Sequence, residues 1–132
     1  MAIYQCDFTL VDVHGNENIK TISYEQLETI MKKEKSWSSD IIQYGDIDDT
    51  CVEVYYFNEN IDSVFVRINV ASVTPEEVNA IINFINDNNL YILYEENIIS
   101  ATKENLASIV RSSAAYRFLK DNKKFLDEIE NI

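Results

Sequence analysis

Two runs of strand-forming residues, 51–57 and 63–71, most strongly constrain how this chain can fold. Both are rich in β-branched and aromatic residues. The residues between them, 58–62, are few and of turn-forming types, so the sequence predicts an antiparallel hairpin. Alternate residues of the second run are apolar and should face the core: Val64, Val66, Ile68 and Val70. The hairpin therefore fixes one sheet around which the rest of the chain must pack.

Two further segments read as strands. In residues 3–13, apolar positions alternate with polar ones, the period of a half-buried strand. Residues 90–94 form a shorter apolar run after a polar Asp-Asn-Asn sequence. The polar, acidic stretch 36–50 predicts a long loop, with 41–44 as a candidate short strand. Four strands are thus expected in the sheet.

Helices are predicted from capping residues followed by apolar stripes. Ser23 begins a capping box that opens a helix over about 23–35. Thr74-Pro75-Glu76-Glu77 combines an N-cap, a proline at the first helical position and a capping glutamate, and predicts a helix over 75–87. Thr102 caps a third helical region that should run towards the C-terminus, with a break near Ser112-Ser113 or Asp121-Asn122.

The order β-α-β-β-α-β is the split β-α-β pattern of ferredoxin-like folds. We therefore predict one α+β (α/β) domain over 1–132, with a four-stranded antiparallel sheet, helices on one face and a C-terminal helical extension. A chain of 132 residues is long enough for one domain with a sizeable core.

Charge is concentrated in residues 36–102, which hold twelve Asp or Glu and one base, Arg67, within a chain of net charge −12. Such a segment repels nucleic acid and anionic membranes, and attracts a cationic surface from a distance. The first residues form no secretory signal, and no apolar run reaches the roughly 20 residues of a membrane span. We therefore expect a cytoplasmic protein that binds neither nucleic acid nor membranes.

The sequence offers no motif for catalysis, a metal or a cofactor, and we predict none of these functions. It lacks a Gly-rich loop, and its single histidine, His14, lies in a predicted turn. The acidic run at 46–49 lacks the glycine and the bidentate glutamate of a calcium loop. Cys6 and Cys51 are expected to be buried free thiols, with a disulfide between them as the alternative.

Strand alternation places Tyr55 and Phe65 on the face away from Val64 and Val66. Tyrosine is common at interface hot spots, because it buries a large area and keeps a hydrogen-bonding tip. At this point the pair fits an exposed interface and a core covered by helices equally well.

A small, acidic, Asn- and Ile-rich chain with this α/β pattern resembles the immunity proteins of bacterial polymorphic toxin systems of the contact-dependent inhibition type. The resemblance is carried mainly by Val64–Tyr94, a strand followed by the Thr-Pro-Glu-Glu helix and a short strand. It implies a monomer or weak dimer that binds a cognate basic toxin, such as a nuclease, and occludes its active site. A small-molecule-sensing regulatory domain and an anti-nuclease DNA mimic are the alternatives.

The resemblance does not identify which residues would contact a toxin. We therefore choose the candidate site from local charge and aromatic content. Residues 40–62 contain seven acids and no base, and make the first candidate surface. The predicted partner-binding residues are Asp40, Tyr44, Asp46, Asp48, Asp49, Glu53, Tyr55, Glu59, Asp62 and Phe65.

Overall fold

The computed structural model of the chain describes residues 4–13, 15 and 17–117. Within them the chain forms one antiparallel sheet and four bounded helices, and residues 114–117 are also helical. The strands are β1 (Gln5–Val11), β2 (Lys33–Glu34), β3 (Ile41–Tyr44), β4 (Cys51–Phe57), β5 (Asn60–Asn69), β6 (Tyr91–Tyr94) and β7 (Asn97–Ile99). The helices are α1 (Glu17–Lys20), α2 (Tyr24–Ile30), α3 (Pro75–Asp87) and α4 (Lys103–Ser112).

The sheet has seven strands in the order β2-β3-β4-β5-β1-β6-β7, so the prediction of a four-stranded ferredoxin-like sheet was wrong. The α+β class and the antiparallel sheet are confirmed. The four predicted strands are adjacent at its centre, as β4-β5-β1-β6. Three short strands flank them: β2 and β3 extend one edge, and β7 extends the other. The candidate short strand at 41–44 is confirmed as β3, whereas β2 and β7, with two and three residues, give too short a pattern for periodicity to detect.

The predicted hairpin is present, with β4 and β5 as antiparallel neighbours. Its turn is tighter than expected, because Phe57 pairs with Asn60 and only Asn58 and Glu59 lie between the strands. Both turn residues have positive φ angles, 51° and 68°, as in a type I′ turn. A shift in register beside Tyr55 and Tyr56 leaves Asp62 as an extra residue in β5.

The first predicted helix, 23–35, is shorter than expected. Ser23 is the N-cap, and its side chain accepts a hydrogen bond from the backbone N–H of Gln26, but α2 ends at Ile30. Residues 32–35 are all charged and cannot continue an apolar stripe. Lys33 and Glu34 instead pair with β3 as the edge strand β2.

The other two predicted helix starts are confirmed. Thr74 and Glu77 form a complete capping box at α3, and Thr102 caps α4. The helix α4 ends at Ser112, and its C-cap, Ser113, has an extended backbone, which confirms the first of the two predicted breaks. The predicted break at 121–122, the apolar positions after residue 117, and His14 lie outside the described residues.

The core lies between one face of the sheet and the helices. From the central strands it takes Cys6, Phe8, Leu10, Val52, Val54, Val64, Val66, Ile68 and Ile92. From the helices and their flanks it takes Ile19, Ile22, Leu27, Ile81, Ile82, Phe84, Ile85, Leu106 and Ile109. The prediction that helices pack on one face therefore agrees with the structure, and none of the described helices packs on the opposite face.

Both cysteines are buried and free, as predicted. Cys6 pairs with Ile68 in the sheet register and Cys51 pairs with Arg67, so the thiols point to opposite faces of the sheet. This geometry excludes the alternative disulfide. In the described part of the chain, no helix has the length and apolar character needed to cross a bilayer.

Candidate interaction face

The side of the sheet turned away from the helices carries aromatic and charged side chains. We call this side the open face. On β4 and β5 its residues are Cys51, Glu53, Tyr55, Phe57, Ser63, Phe65, Arg67 and Asn69. The rings of Tyr55 and Phe65 meet edge to face, with centroids 5.0 Å apart and an interplanar angle of 73°. Among the residues that the structure describes, no helix covers this pair, which favours the exposed interface over the core covered by helices.

Glu53 lies at the centre of the open face and is 0% exposed. Its carboxylate forms an ion pair with Arg67. Its Oε2 also accepts hydrogen bonds from the Tyr55 hydroxyl at 3.2 Å and from the Trp37 indole N–H at 3.4 Å. Three neighbours therefore compensate this buried charge. Arg67 is the one base of residues 36–102, so its pairing with Glu53 removes the only cation of that segment that would oppose the acids.

Three of the predicted acids, Asp46, Asp48 and Asp49, are exposed on the loop that joins β3 to β4. Gln5 of β1 holds this loop, because its side-chain N–H₂ donates to the carbonyls of Ile47 and Asp49, each at 2.7 Å. The loop is thereby drawn against the sheet rather than extended into solvent.

The turn into this loop depends on Gly45, which has φ +86°. A Cβ at this position would lie 2.6 Å from the carbonyl oxygen of Thr50 and 3.0 Å from the Met31 sulfur. A side chain would therefore meet both an unfavourable φ and a backbone clash. Glycine is needed here to bring the acidic loop back to β4.

The remaining predicted acids lie at the opposite end of β4 and β5. Glu59 is exposed in the hairpin turn, and Asp62 is exposed at the extra residue of β5. Asp40 is also exposed, and its carbonyl accepts a hydrogen bond from the backbone N–H of Tyr56. The acids thus form two groups, separated by the length of β4, about 20 Å at 3.3 Å per residue.

Two predicted contact residues do not present their side chains to solvent. Tyr44 is only 1% exposed and belongs to the core on the helix side, because β3 alternation turns it away from the open face. Glu53 is on the open face, but its carboxylate is used by Arg67, Tyr55 and Trp37. Neither residue is therefore available as a surface contact.

Three residues of this region were not singled out from the sequence. Trp37 is 66% exposed and lies beside Glu53, and Phe57 at the end of β4 is 68% exposed. Asp7 is exposed and pairs in register with Arg67. The available signal was a lone tryptophan in the polar sequence Lys-Ser-Trp-Ser-Ser, where no apolar periodicity predicts burial.

Burial holds two ionisable groups of the open face in their neutral forms. It raises the pKa of Cys51 from 9.0 to about 11, against the opposing influence of Arg67. It also raises the pKa of Tyr55, with a smaller contribution from Cys51. A buried neutral thiol is a poor nucleophile. In the described residues, no three or more His, Cys, Asp or Glu side chains are grouped to hold a metal ion.

Comparison of this chain with models of protein families, with curated proteins and with solved structures finds no match.

Proposed function

We propose that this protein is an immunity-type inhibitor that binds a basic protein toxin, such as a nuclease, through its open face. The single observation that carries the proposal is a sheet face on which aromatic side chains lie between two groups of acids, and which none of the described helices covers. It binds the toxin as a monomer or weak dimer, in the cytoplasm, and occludes the cationic site where the toxin holds its substrate.

The aromatic residues supply the short-range contacts. Phe57 and Trp37 are mostly exposed, and Tyr55 and Phe65 are half-buried beside them. Large aromatic side chains of this kind dominate binding energy at protein interfaces when a partner removes their remaining contact with water. Because the Tyr55 and Phe65 rings are already fixed against each other, little side-chain entropy is lost on binding.

The acids supply the long-range attraction. Asp46, Asp48 and Asp49 lie at one end of β4, and Asp40, Glu59 and Asp62 at the other. A field of one sign over a surface accelerates encounter with an oppositely charged partner. The cleft of a nuclease carries the positive charge that such a surface attracts.

The spacing of the acids favours this function over a DNA mimic. A mimic would display carboxylates at short, regular intervals like those of a phosphate backbone. Here aromatic side chains occupy the space between the two acidic groups, an arrangement typical of a protein–protein contact with a polar rim.

The test begins with a search for a basic toxin domain encoded next to the gene of this protein, and such a domain is then assayed with the purified protein. We expect the purified protein to abolish the nuclease activity at a one-to-one ratio. Phe57→Ala should weaken binding at least about tenfold, the effect of losing a modest hot spot, without lowering the melting temperature. Val13→Ala, at another exposed apolar residue, is the control. Full inhibition with Phe57→Ala and every other aromatic variant of the open face would refute the proposal.

A further inference from the structure

A groove of about 410 Å³ lies next to the open face, where β2 and the segment after it meet the β3–β4 loop. Its walls include Glu34, Lys35, Trp37, Gln43, Asp46 and Ile47. The groove thus combines an indole ring, two carboxylates and one lysine.

Trp37 is held in place although two thirds of it is exposed. Its indole N–H points at the buried Glu53, which fixes the edge of the ring. The residues on both sides of Trp37 are fixed by local hydrogen bonds: the Ser36 hydroxyl donates to the Ser38 carbonyl, and the Asp40 N–H donates to the Ser38 hydroxyl at 3.2 Å. A preorganised, exposed indole is well suited to receive a planar or cationic group.

We propose that this groove receives an arginine side chain of the basic partner, stacked on the Trp37 ring and hydrogen-bonded to Asp46. The inference rests on the proposed function and names its anchor contact. Guanidinium is favoured over ammonium because it is planar, stacks on an indole and pairs with a carboxylate through two N–H groups. Glu34, which also lines the groove, adds a second negative charge, and Lys35 is the one cation of the lining that would compete with an incoming arginine.

The test uses N-acetyl-arginine amide as the probe, with N-acetyl-citrulline amide as its neutral isostere. Trp37 is the only tryptophan, so its fluorescence and its indole N–H resonance report on the groove directly. We expect saturable shifts of that resonance with the arginine probe and none with the citrulline probe.

Variants then test the two charges of the groove. Asp46→Asn should weaken the arginine probe by about fivefold, the upper range for one exposed ion pair. Glu76→Gln, an equal charge change at an exposed position on α3, should have little effect. Lys35→Gln should strengthen binding, because it removes the competing cation. Equal shifts with both probes, or equal effects of Asp46→Asn and Glu76→Gln, would overturn the proposal.

The experiments distinguish failure of the arginine contact from failure of the proposed inhibitor function. If the protein inhibits the toxin and Trp37→Ala leaves both affinity and inhibition unchanged, the inhibitor function stands and the arginine anchor is refuted. If the arginine probe binds as expected but no inhibition of the toxin is observed, the groove stands and the inhibitor function is refuted.

Discussion

Glu53 and Arg67 illustrate how one ion pair supports the open face. Glu53 has no exposed surface, so its charge depends on Arg67 and on hydrogen bonds from Tyr55 and Trp37. Replacing Arg67 by methionine leaves a buried carboxylate without its counter-charge, and we expect a loss of about 3 kcal/mol in the free energy of unfolding. Urea denaturation at pH 7 measures this loss.

The matched control removes both charges. Glu53→Gln with Arg67→Met keeps an acceptor for Tyr55 and Trp37 but leaves no buried ion, so most of the lost stability should return. If the double variant is as unstable as Arg67→Met, packing of the arginine stem rather than the unpaired charge explains the loss.

Cys51 contributes to the free energy of unfolding, and this contribution is lost at alkaline pH. Burial raises the pKa of its thiol from 9.0 to about 11, so the unfolded chain loses this proton before the folded chain does. The contribution is complete below pH 9 and is lost as the pH rises to 11. Unfolding free energies at pH 7, 9 and 10.5 should therefore fall less steeply in Cys51→Ala than in the native protein.

Part of the fall in unfolding free energy with rising pH will remain in Cys51→Ala. Burial also raises the pKa values of Cys6, Tyr44 and Tyr94. An identical slope in Cys51→Ala and the native protein would show that Cys51 ionises in the folded state as readily as in the unfolded chain.

Among the strands and turns, two hairpins share an unusual composition. The β4–β5 turn is Asn58-Glu59, and the β6–β7 turn is Glu95-Glu96; all four residues have positive φ. Glycine adopts this conformation without the steric cost that glutamate incurs, about 1 kcal/mol. We expect Glu59→Gly and Glu96→Gly each to raise the free energy of unfolding by about that amount, measured as a higher urea midpoint with an unchanged slope.

Charge must be separated from conformation in this test, since each change also removes an acid from a chain of net charge −12. Glu59→Gln and Glu96→Gln remove the same charge but keep the Cβ. Equal stabilisation by glycine and glutamine would mean that relief of repulsion, and not the turn conformation, is responsible.

Element length and turn sequence together explain which strands and helices could be predicted. The strands β4 and β5 and the helix α3 have enough residues for periodicity and capping to identify them. The strand β7 follows a turn that lacks the expected Asn-Gly or Asp-Gly signal, and β2 has only two residues, so neither left a readable pattern. Both strands are defined by backbone pairing with the strand next to them along the chain, and not by a side-chain pattern of their own.

The candidate site was predictable in its charge but not in its orientation. Exposure of Asp46, Asp48 and Asp49 follows from their density in a loop. The burial of Glu53 does not, because it depends on Arg67 from the next strand and on Trp37 from a loop. Likewise, strand alternation alone left open which face Tyr44 would take, since β3 has only four residues.

For the molecule as a whole, the charge pattern predicts how association should respond to salt. The exposed acids around the open face meet no free local base in residues 36–102, because Arg67 is paired with Glu53. Steering by such a field is screened over a Debye length of about 8 Å at physiological ionic strength. If the proposed basic toxin is the partner, its association rate should therefore fall as salt rises, while a dissociation rate set by aromatic contacts should change little.

The triple variant Asp46→Asn, Asp48→Asn, Asp49→Asn tests this directly. Asparagine keeps a side-chain oxygen for local bonds such as that from the Asp48 N–H to the residue-46 side chain, 2.9 Å in the native loop. We expect association to slow by about tenfold at low salt and its salt dependence to flatten, as measured by stopped-flow or surface-binding kinetics. The control, Glu25→Gln with Glu28→Gln and Glu76→Gln, makes the same charge change on the helices, away from the open face. If both triple variants slow association equally, the net charge of the molecule and not the acidic loop attracts the partner.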